Sequence, residues 1–473
     1  MGMSRLLKHL RNTGVAVIVA VVSGHVPGQA SAEVLSDAMA SAYVNSGLLE
    51  QNRALLRAAD EDVAIALSAL RPVIEWSASY QRNWIERNQG FGRASATTDT
   101  GSLGLQGSQL LYDGGASRLN IEAAQETVLA SRETLRSIEQ NVLLSAVQAY
   151  MNLVRANEFL RLAQNNRRVL EEELRASRDR FEVGEVTRTD VALSESRLAN
   201  ADSNVAIARG DVVTARAIFV QVVGREPGNL SPTPNIPEGP GTIDAAQATA
   251  VVNHPDIATL QRQISAADLS VAVVRRSMMP QVRAGVTTGI NNTFDNEVYS
   301  DNVTAGITMS QRIYQGGAMT AQVRRAIATR DSLRGSLLNT QRAVEQEVAS
   351  AYVELEVSRA NIVSSAERVR AAQVAFDGIR EEARLGSRTT LDVLTAEQEL
   401  LDAQAAQISF QADRYIAAYR LVAAQGLLNA ERLGLQVPIY DVSAYYNAVK
   451  SGPSLYSKQG QELDRVLRAL GKE

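Results

Sequence analysis

The 473-residue sequence contains no cysteine. It therefore has no disulfide bond, no thiol nucleophile and no cysteine that could carry a lipid anchor. Histidine is almost absent as well, since two of the three histidines, His9 and His25, lie within the first 32 residues. The third, His254, precedes a proline at the start of a predicted helix, where a lone histidine has a structural role. We therefore expect no metal site, no cofactor and no catalytic triad.

Long apolar runs are also scarce. One run, from Val15 to Val22, follows three basic residues and precedes Ala30-Ser31-Ala32. This order is typical of an export signal, so we expect residues 1–32 to be removed and the mature chain to begin at Glu33. A membrane anchor is the alternative, but the run is far shorter than the roughly 20 residues that a spanning helix needs. No later run is long enough, so any membrane-spanning part must consist of strands.

The sequence has no excess of positive charge. It carries 48 basic and 52 acidic residues, a formal net charge of −4, which argues against nucleic acid as a partner. Proline is rare, and five of the eleven prolines fall between residues 227 and 240. This cluster predicts a stiff, non-helical linker at about residues 231–241.

Most of the sequence occurs twice. Residues 108–116, Ser-Gln-Leu-Leu-Tyr-Asp-Gly-Gly-Ala, return 202 positions later as Ser-Gln-Arg-Ile-Tyr-Gln-Gly-Gly-Ala at 310–318. Upstream of these segments the offset is 208, which relates Pro72 to Pro280. A duplication of this kind predicts two equivalent structural units. We place repeat 1 at residues 33–230 and repeat 2 at residues 242–435, with a C-terminal tail at 436–473.

Each repeat contains a segment that predicts a very long helix. Ala116 to Glu182 has neither proline nor glycine, and the equivalent segment from Ala318 to Arg384 is equally long. A helix of this length extends roughly 100 Å. Apolar residues recur every seven positions, in the first copy at Ile121, Val128, Leu135, Val142 and Ala149. Sustained heptads indicate helices packed as a coiled coil, although a simple two-helix hairpin or a filament has the same pattern.

Each repeat also contains two segments in which apolar and polar residues alternate. They lie at about residues 72–82, 100–112, 281–291 and 302–314. The alternation is typical of a transmembrane β-barrel, and an isolated soluble pair of hairpins would show it too. Four strands cannot close a barrel and an open edge is not tolerated in lipid, so several copies must share one barrel. Three copies supply twelve strands, an even number wide enough to leave a lumen.

The fold class predicted from these features is mainly α with a β-barrel portion. The predicted assembly is a trimeric, twelve-stranded transmembrane β-barrel, with four strands from each chain, continued by a long α-helical coiled-coil tunnel in the periplasm.

This layout resembles the TolC family of outer-membrane channel proteins. The resemblance rests on Leu-Tyr-Asp-Gly-Gly at 111–115, Ile-Tyr-Gln-Gly-Gly at 313–317, and two helix-tip turns at 181–191 and 385–394. It implies a homotrimer in the outer-membrane lipid of a Gram-negative bacterium, spanning the periplasm. It also implies a periplasmic adaptor (membrane fusion) protein and an inner-membrane pump of the ABC or RND type as partners.

The resemblance implies a passive exit duct of a tripartite export system. Such a duct conducts proteins (type I secretion), small toxic compounds, or both. The sequence does not specify the cargo, the cognate pump and adaptor, or the role of the tail. One alternative is a periplasmic coiled-coil adaptor or structural protein without a membrane pore. An enzyme with paired carboxylates is a third class, but the acidic residues are spread along solvated helix faces, so we expect no enzymatic activity.

The two tip turns contain the candidate functional residues. Gly184 and Gly386 end the long helices, where a left-handed residue lets the chain reverse. Asp190 and Asp392 each follow a threonine by three positions, which is the spacing of a capping box. Besides capping, Asp392 from three copies would form a negative constriction on the axis, and acidic rings favour cations.

The resemblance assigns further roles to the tips. Asp190 and Arg388 match positions where the family has links that hold the periplasmic entrance closed. Ala383 stands where the family has a tyrosine in this lock, and Thr395 where it has a second acidic ring residue. The sequence therefore does not predict whether the entrance is closed at rest. The surface predicted to contact the adaptor comprises Val183, Gly184, Leu385 and Gly386, although ordinary turn formation also explains these residues.

Overall fold

The computed structural model describes residues 33–88, 90, 92–231, 236–237, 241–295, 298–453 and 456–469. The predicted signal segment at 1–32 lies outside the described residues, as does most of the predicted linker, including Pro232, Pro234 and Pro240. The helices and strands, in chain order, are α1 (Leu35–Asn45), α2 (Gly47–Ser68), β1 (Val73–Asn88), β2 (Arg93–Tyr112), α3 (Ala116–Glu182), α4 (Arg188–Val223), α5 (Ile243–Asn253), α6 (Pro255–Arg276), β3 (Gln281–Thr293), β4 (Val298–Ser310), α7 (Ala318–Arg384), α8 (Thr390–Ala424), α9 (Ala444–Val449) and α10 (Lys458–Ala469).

The structure confirms that the chain is duplicated. The elements α1, α2, β1, β2, α3 and α4 recur in the same order as α5, α6, β3, β4, α7 and α8. The long helices α3 and α7 both contain 67 residues, and α2 and α6 both contain 22. One side-chain hydrogen bond is also repeated at equivalent residues. The Tyr150 hydroxyl donates to the Glu33 carbonyl, and the Tyr352 hydroxyl donates to the Gly241 carbonyl. The two copies therefore share backbone geometry as well as sequence.

The four strands form one antiparallel sheet in the order β1-β2-β3-β4. Both hairpins have the same internal register, with Val73 opposite Ser108 in the first and Gln281 opposite Ser310 in the second. The inner strands β2 and β3 pair with each other, whereas β1 and β4 each have one edge without a strand partner in the described residues. On β1 the outward row of Trp76, Tyr80 and Trp84 is largely exposed.

The strand ends differ from the sequence prediction. The strands β1 and β2 extend further from the helices than the predicted 72–82 and 100–112. The fourth strand was predicted at 302–314 and instead spans Val298–Ser310. It ends at Ser310 because β3, its one strand partner among the described residues, begins at the residue opposite, Gln281. In repeat 1 the equivalent strand continues to Tyr112 because β3 pairs with its second edge. The strand ends are therefore set by which strands pair with each other, and the local sequence does not indicate that pairing.

The helices pack around two cores near the sheet. The larger core joins α1, α2 and α3 to residues 428–446, which follow α8 and include the start of the tail, and a second core joins α5, α6, α7 and α8. Tyr150 is fully buried in the larger core, where its hydroxyl lies 2.7 Å from the Glu33 carbonyl oxygen and 2.8 Å from that of Ser231. None of the helices in the described part of the chain is long and apolar enough to span a membrane.

The tail packs against α2 and α3 at the end of the helices that lies nearest to the sheet. Tyr445 of α9 donates a hydrogen bond to Glu61 of α2 at 2.7 Å, and the guanidinium of Arg132 lies over the Tyr446 ring. Arg71, two residues before β1, donates to the carbonyl oxygens of Ser451 and Gly452. The tail therefore fastens α2 close to the start of the sheet.

The two long helices differ in what covers them. The heptad residues of α3 from Val128 to Ala149 are buried, because α2, α4, α6 and α8 all pack against this helix. On α7, Val344 and Ala351 are buried, but Val323 and Leu337 are only half-buried. Within the described residues α7 packs against α5, α6 and α8, which are the equivalents of α1, α2 and α4, so the side that α6 and α8 cover on α3 stays open on α7.

Candidate functional site at the hairpin tips

Each helical hairpin reverses direction through the same kind of turn. Gly184 has φ 83° and Gly386 has φ 80°, the left-handed conformation that glycine adopts without strain. In the first turn the amide of Glu185 donates to the Arg180 carbonyl at 2.9 Å, and in the second the amide of Ser387 donates to the Glu382 carbonyl at 3.0 Å. These bonds define Schellman motifs, which satisfy the last carbonyl groups of α3 and α7.

The helices that leave the tips both begin with a capping box. The Asp190 carboxylate accepts hydrogen bonds from the Thr187 amide at 2.9 Å and the Thr187 hydroxyl at 2.7 Å. The Asp392 carboxylate accepts the same two bonds from Thr389 at 3.0 and 2.8 Å. This confirms the predicted caps.

These hydrogen bonds also keep the tip acids ionised. The Thr187 hydroxyl and amide lower the pKa of Asp190, and the Thr389 amide and hydroxyl, with a smaller contribution from Arg388, lower the pKa of Asp392. A capping carboxylate is bound to its helix yet remains charged at the solvated tip.

Arg388 is paired within its own hairpin. Its Nε atom donates to the Glu382 carboxylate at 2.8 Å, and this bond raises the pKa of Arg388. Both side chains are about half exposed, so solvent screens the pair and its contribution to stability is small. The structure thus brings Arg388, Glu382 and Asp392 together on the second tip, while Asp190 lies on the first.

The residues at the ends of the long helices are highly exposed. Val183 is 71 % exposed and Leu385 is 80 % exposed. A Cβ atom at Gly184 or Gly386 would meet nothing within 4 Å, so these glycines are required by their backbone angle and not by a close neighbour. Both tips therefore present an exposed apolar side chain that nothing in the described chain covers.

The two positions that depart from the family pattern have different environments. Ala383 is buried against Phe376, Val393 and Leu400 in the core of the second hairpin. Thr395 is exposed, and its hydroxyl donates to the Leu391 carbonyl one turn earlier. Neither side chain provides a phenol hydroxyl or an acidic group at the tip.

Sequence reasoning missed a pair of buried acids near the tips. Glu397 of α8 is 6 % exposed and Glu173 of α3 is 9 % exposed, and Asn166 donates to the Glu397 carboxylate at 3.2 Å. Burial, and then the charge of Glu173, raise the pKa of Glu397 to about 7. Glu397 lies five residues beyond Asp392, about 7.5 Å further along the helix. No pattern in the sequence distinguishes Glu397 from its equivalent in repeat 1, Glu195, yet Glu195 forms an exposed ion pair with Arg178 at 2.6 Å.

Comparisons with known proteins agree with this architecture. A family model described as "Outer membrane efflux protein" matches residues 39–225 and 248–427, one segment in each repeat. The chain is 36 % identical over 441 residues to the outer membrane efflux protein BepC of Brucella suis biovar 1, covering 92 % of this chain and 95 % of BepC. It is 27 % identical over 358 residues to the alkaline protease secretion protein AprF of Pseudomonas aeruginosa, covering 72 % of this chain and 73 % of AprF.

A solved structure shows the same fold. The crystal structure of the CmeC outer membrane channel of Campylobacter jejuni superposes with a TM-score of 0.72 at 18 % sequence identity. The superposition covers 95 % of this chain and 98 % of that one.

Proposed function

The chain belongs to the outer membrane efflux protein family, as a TolC-like outer-membrane channel of a Gram-negative bacterium, and we propose that three copies of it form the exit duct of a tripartite export system. Members of this family are channels and not enzymes. The transport reaction therefore needs no chemistry from this chain. What the chain must supply is a closed wall, an entrance and a surface on which partners assemble.

The observation that carries the proposal is the unclosed sheet. The strands β1 and β4 each have an edge without a strand partner in the described residues, and both carry exposed apolar side chains such as Trp76 and Ile307. Unpaired backbone groups cannot face lipid, so the sheet must continue into other copies until it closes. Three copies give twelve strands, an even number within the range of outer-membrane barrels.

The long helices support the proposed tunnel across the periplasm. At 67 residues each, α3 and α7 extend roughly 100 Å away from the sheet. In a trimer, the six hairpins continue the barrel as a tunnel whose entrance is formed by the tips. Asp392 and Asp190 line that entrance, and Arg388 helps to hold it. The exposed Val183 and Leu385, with Gly184 and Gly386, form the surface that a periplasmic adaptor contacts, and an ABC or RND pump in the inner membrane supplies the cargo.

Small toxic compounds are the first cargo class that we propose, because BepC, whose name describes an efflux protein, is similar over 92 % of this chain. Secreted protein is the second class, favoured by the similarity to AprF, whose name describes secretion of an alkaline protease. The earlier alternative, an adaptor or structural protein without a pore, loses its support because the family match covers both repeats.

The test is single-channel recording of the purified mature protein in a planar bilayer, with the reversal potential measured under a salt gradient. We expect discrete, long-lived insertion steps and a preference for cations, because the tips carry ionised Asp190 and Asp392. A folded trimer that gives no insertion steps at any protein concentration would overturn the duct. Insertion steps without cation preference would retain the pore and remove the acidic constriction.

A further inference from the structure

We propose that a second copy of this chain docks along the free edge of β4 with its β1 in the same register that β3 holds on β2, which places Arg312 opposite Glu75 of the partner subunit. This inference rests on the proposed trimer and specifies the contact between its subunits. It follows from the internal duplication, because one chain already contains a joint between two copies of the repeat.

The two hairpins are equivalent in detail. Val73 faces Ser108 in the first, and the residues 208 and 202 positions later, Gln281 and Ser310, face each other in the second. A side-chain bond at the base of each hairpin recurs as well. Gln109 donates to the Leu70 carbonyl at 2.8 Å, and the equivalent Gln311 donates to the Met278 carbonyl at 3.2 Å. Thus β3 is the structural equivalent of β1, and β4 is the equivalent of β2, and the two hairpins pair in the same register.

The joint inside the chain therefore predicts the joint between chains. The inner strands pair with Gln106 opposite Thr287, Ser108 opposite Gly285 and Leu110 opposite Arg283. Moving the β2 residues forward by 202 and the β3 residues back by 208 gives the pairs of the outer joint. These are Thr308 with the partner's Ser79, Ser310 with the partner's Ser77, and Arg312 with the partner's Glu75.

The register follows from the inner joint and the repeat offsets alone. The charges of the residues that it places opposite each other agree with that register. Inside the chain, Arg283 faces the apolar Leu110. At the outer joint, a cation and a carboxylate face each other, and opposite charges directly across a strand pair are favourable. A shift by two residues would place Arg312 opposite Ser77 or Val73 of the partner subunit, and a shift by one would turn the polar face toward the apolar one.

The exposure of the segment after β4 is consistent with a missing neighbour. Ile313 and Tyr314 are 89 % and 85 % exposed and lie outside any strand. Their counterparts in repeat 1, Leu111 and Tyr112, are 54 % and 49 % exposed and lie in β2, where Tyr112 pairs with Val282 of β3. We therefore expect residues 311–314 to become a strand when the partner subunit docks, which removes an open edge of the kind that promotes unwanted pairing.

Cysteine cross-linking tests the register, because the chain has no cysteine of its own. The double variant Thr308→Cys/Ser79→Cys places the two sulfurs on directly opposite residues, about 4.5–5.5 Å apart between Cα atoms, which suits a disulfide. With mild copper-phenanthroline oxidation we expect covalently linked chains up to the trimer in non-reducing gels. The matched controls Thr308→Cys/Ser77→Cys and Thr308→Cys/Gln81→Cys are two residues out of register. We expect their yield to be at least about tenfold lower, because their Cα atoms are beyond roughly 7 Å.

The oligomeric state of each reduced variant, measured by light scattering in detergent, separates the two proposals. A trimer that cross-links through a control pair and not through Thr308 and Ser79 overturns the register and retains the duct. Chains that stay monomeric overturn the trimer, and the register with it.

Charge reversal tests the ion pair separately. Glu75→Arg places two cations at the joint, so the trimer should dissociate in detergent at a lower temperature than the parent. The double variant Glu75→Arg/Arg312→Glu should restore the dissociation temperature. Arg283 is the equivalent of Glu75 in repeat 2, so Glu75→Arg/Arg283→Glu has the same net charge and should not restore it. Equal rescue by both double variants would overturn the specific pair of Arg312 with Glu75.

Discussion

Glu195 and Glu397 occupy the same position in the two repeats, yet only one of them is withdrawn from water. Glu195 is about half exposed and bonded to Arg178, whereas Glu397 is 6 % exposed and lies against Asn166 and Glu173 of α3. Arg380, the counterpart of Arg178, lies over the Phe376 ring. Two equivalent hairpins thus carry the same acid in two different electrostatic environments.

The difference arises from what each hairpin packs against. In the chain, α8 packs on α3, where Asn166 and Glu173 face it. By the repeat, α4 would pack on the partner's α7 in the proposed trimer, where Arg368 and Ala375 stand at the equivalent positions. One joint therefore holds two acids, and the other would hold an acid and a cation. The duplication preserved the backbone while the two joints acquired different chemistry.

The largest effect that we expect concerns the pH dependence of this joint. The pKa of Glu397 is raised from 4.5 to about 7, so the folded state holds a proton that the unfolded state releases. The stability that this proton provides is complete below about pH 4.5 and is lost as the pH rises to about 7, a change of about 3 kcal/mol per chain. Glu397→Gln should remove this loss and raise the unfolding temperature at about pH 8 relative to the parent.

Helical circular dichroism during heating measures this effect at several pH values. The groups that face Glu397 are Glu173 of α3, Arg197 of α4 and Arg380 of α7, and they stay unchanged in the variant. Asp60, whose pKa burial raises to about 6, contributes equally to parent and variant, so the difference isolates Glu397. The control is Glu195→Gln, which should leave the pH profile unaltered. If Glu397→Gln has the same pH profile as the parent, the buried acids do not control this joint.

A smaller difference between the repeats is expected for their equivalent tyrosines. Tyr150→Phe removes two hydrogen bonds, one to the Ser231 carbonyl and one to the buried Glu33 carbonyl, which keeps the Ser231 amide as a donor, so the free energy of unfolding should fall by about 1–2 kcal/mol. Tyr352→Phe removes one exposed bond to Gly241 and should change it by less than about 0.5 kcal/mol. Thermal unfolding of both variants provides the measurement. Equal losses would show that the larger core does not depend on this contact.

The acidic residues at the two tips can be compared by their effect on ion selectivity. Asp392→Asn keeps an oxygen that can accept the Thr389 amide while removing the charge. A unit charge about 4 Å from a passing ion contributes about 1 kcal/mol in water, so the cation-to-anion permeability ratio should fall about fivefold. The matched variant Asp190→Asn shows whether the first tip acts equally. Reversal potentials in planar bilayers measure both variants, and an unchanged ratio in Asp392→Asn would exclude the acidic ring.

The smallest effect is expected at Arg388, a position where repeat 1 has Val186. Arg388→Ala removes the exposed pair with Glu382, which solvent screens. The leak conductance should therefore rise by no more than about fivefold per subunit. Arg384→Ala is the matched control, because it removes a neighbouring exposed pair with Glu381. A variant at Arg388 that is as closed as the parent, or a control that leaks equally, would remove this lock.

The parts of the fold that sequence predicted are those with a local cause. The long helices follow from 67 residues with heptads, and the tip turns follow from Gly184 and Gly386 with a threonine and an aspartate at capping distance. The aspartates cap as predicted. Their proposed roles in the entrance stay predictions, because those roles depend on other copies of the chain.

The duplication, the element order and the chemistry of each tip follow from the sequence, because helix periodicity, turn formation and capping depend on residues only a few positions apart. The ends of β2 and β4, the burial of the heptads, and the placing of Glu397 beside Glu173 but of Glu195 beside Arg178 follow from the folded arrangement. Those outcomes depend on strand pairing and on which helix covers which face. Both are contacts between distant parts of the chain, and two equivalent segments differ because their distant contacts differ.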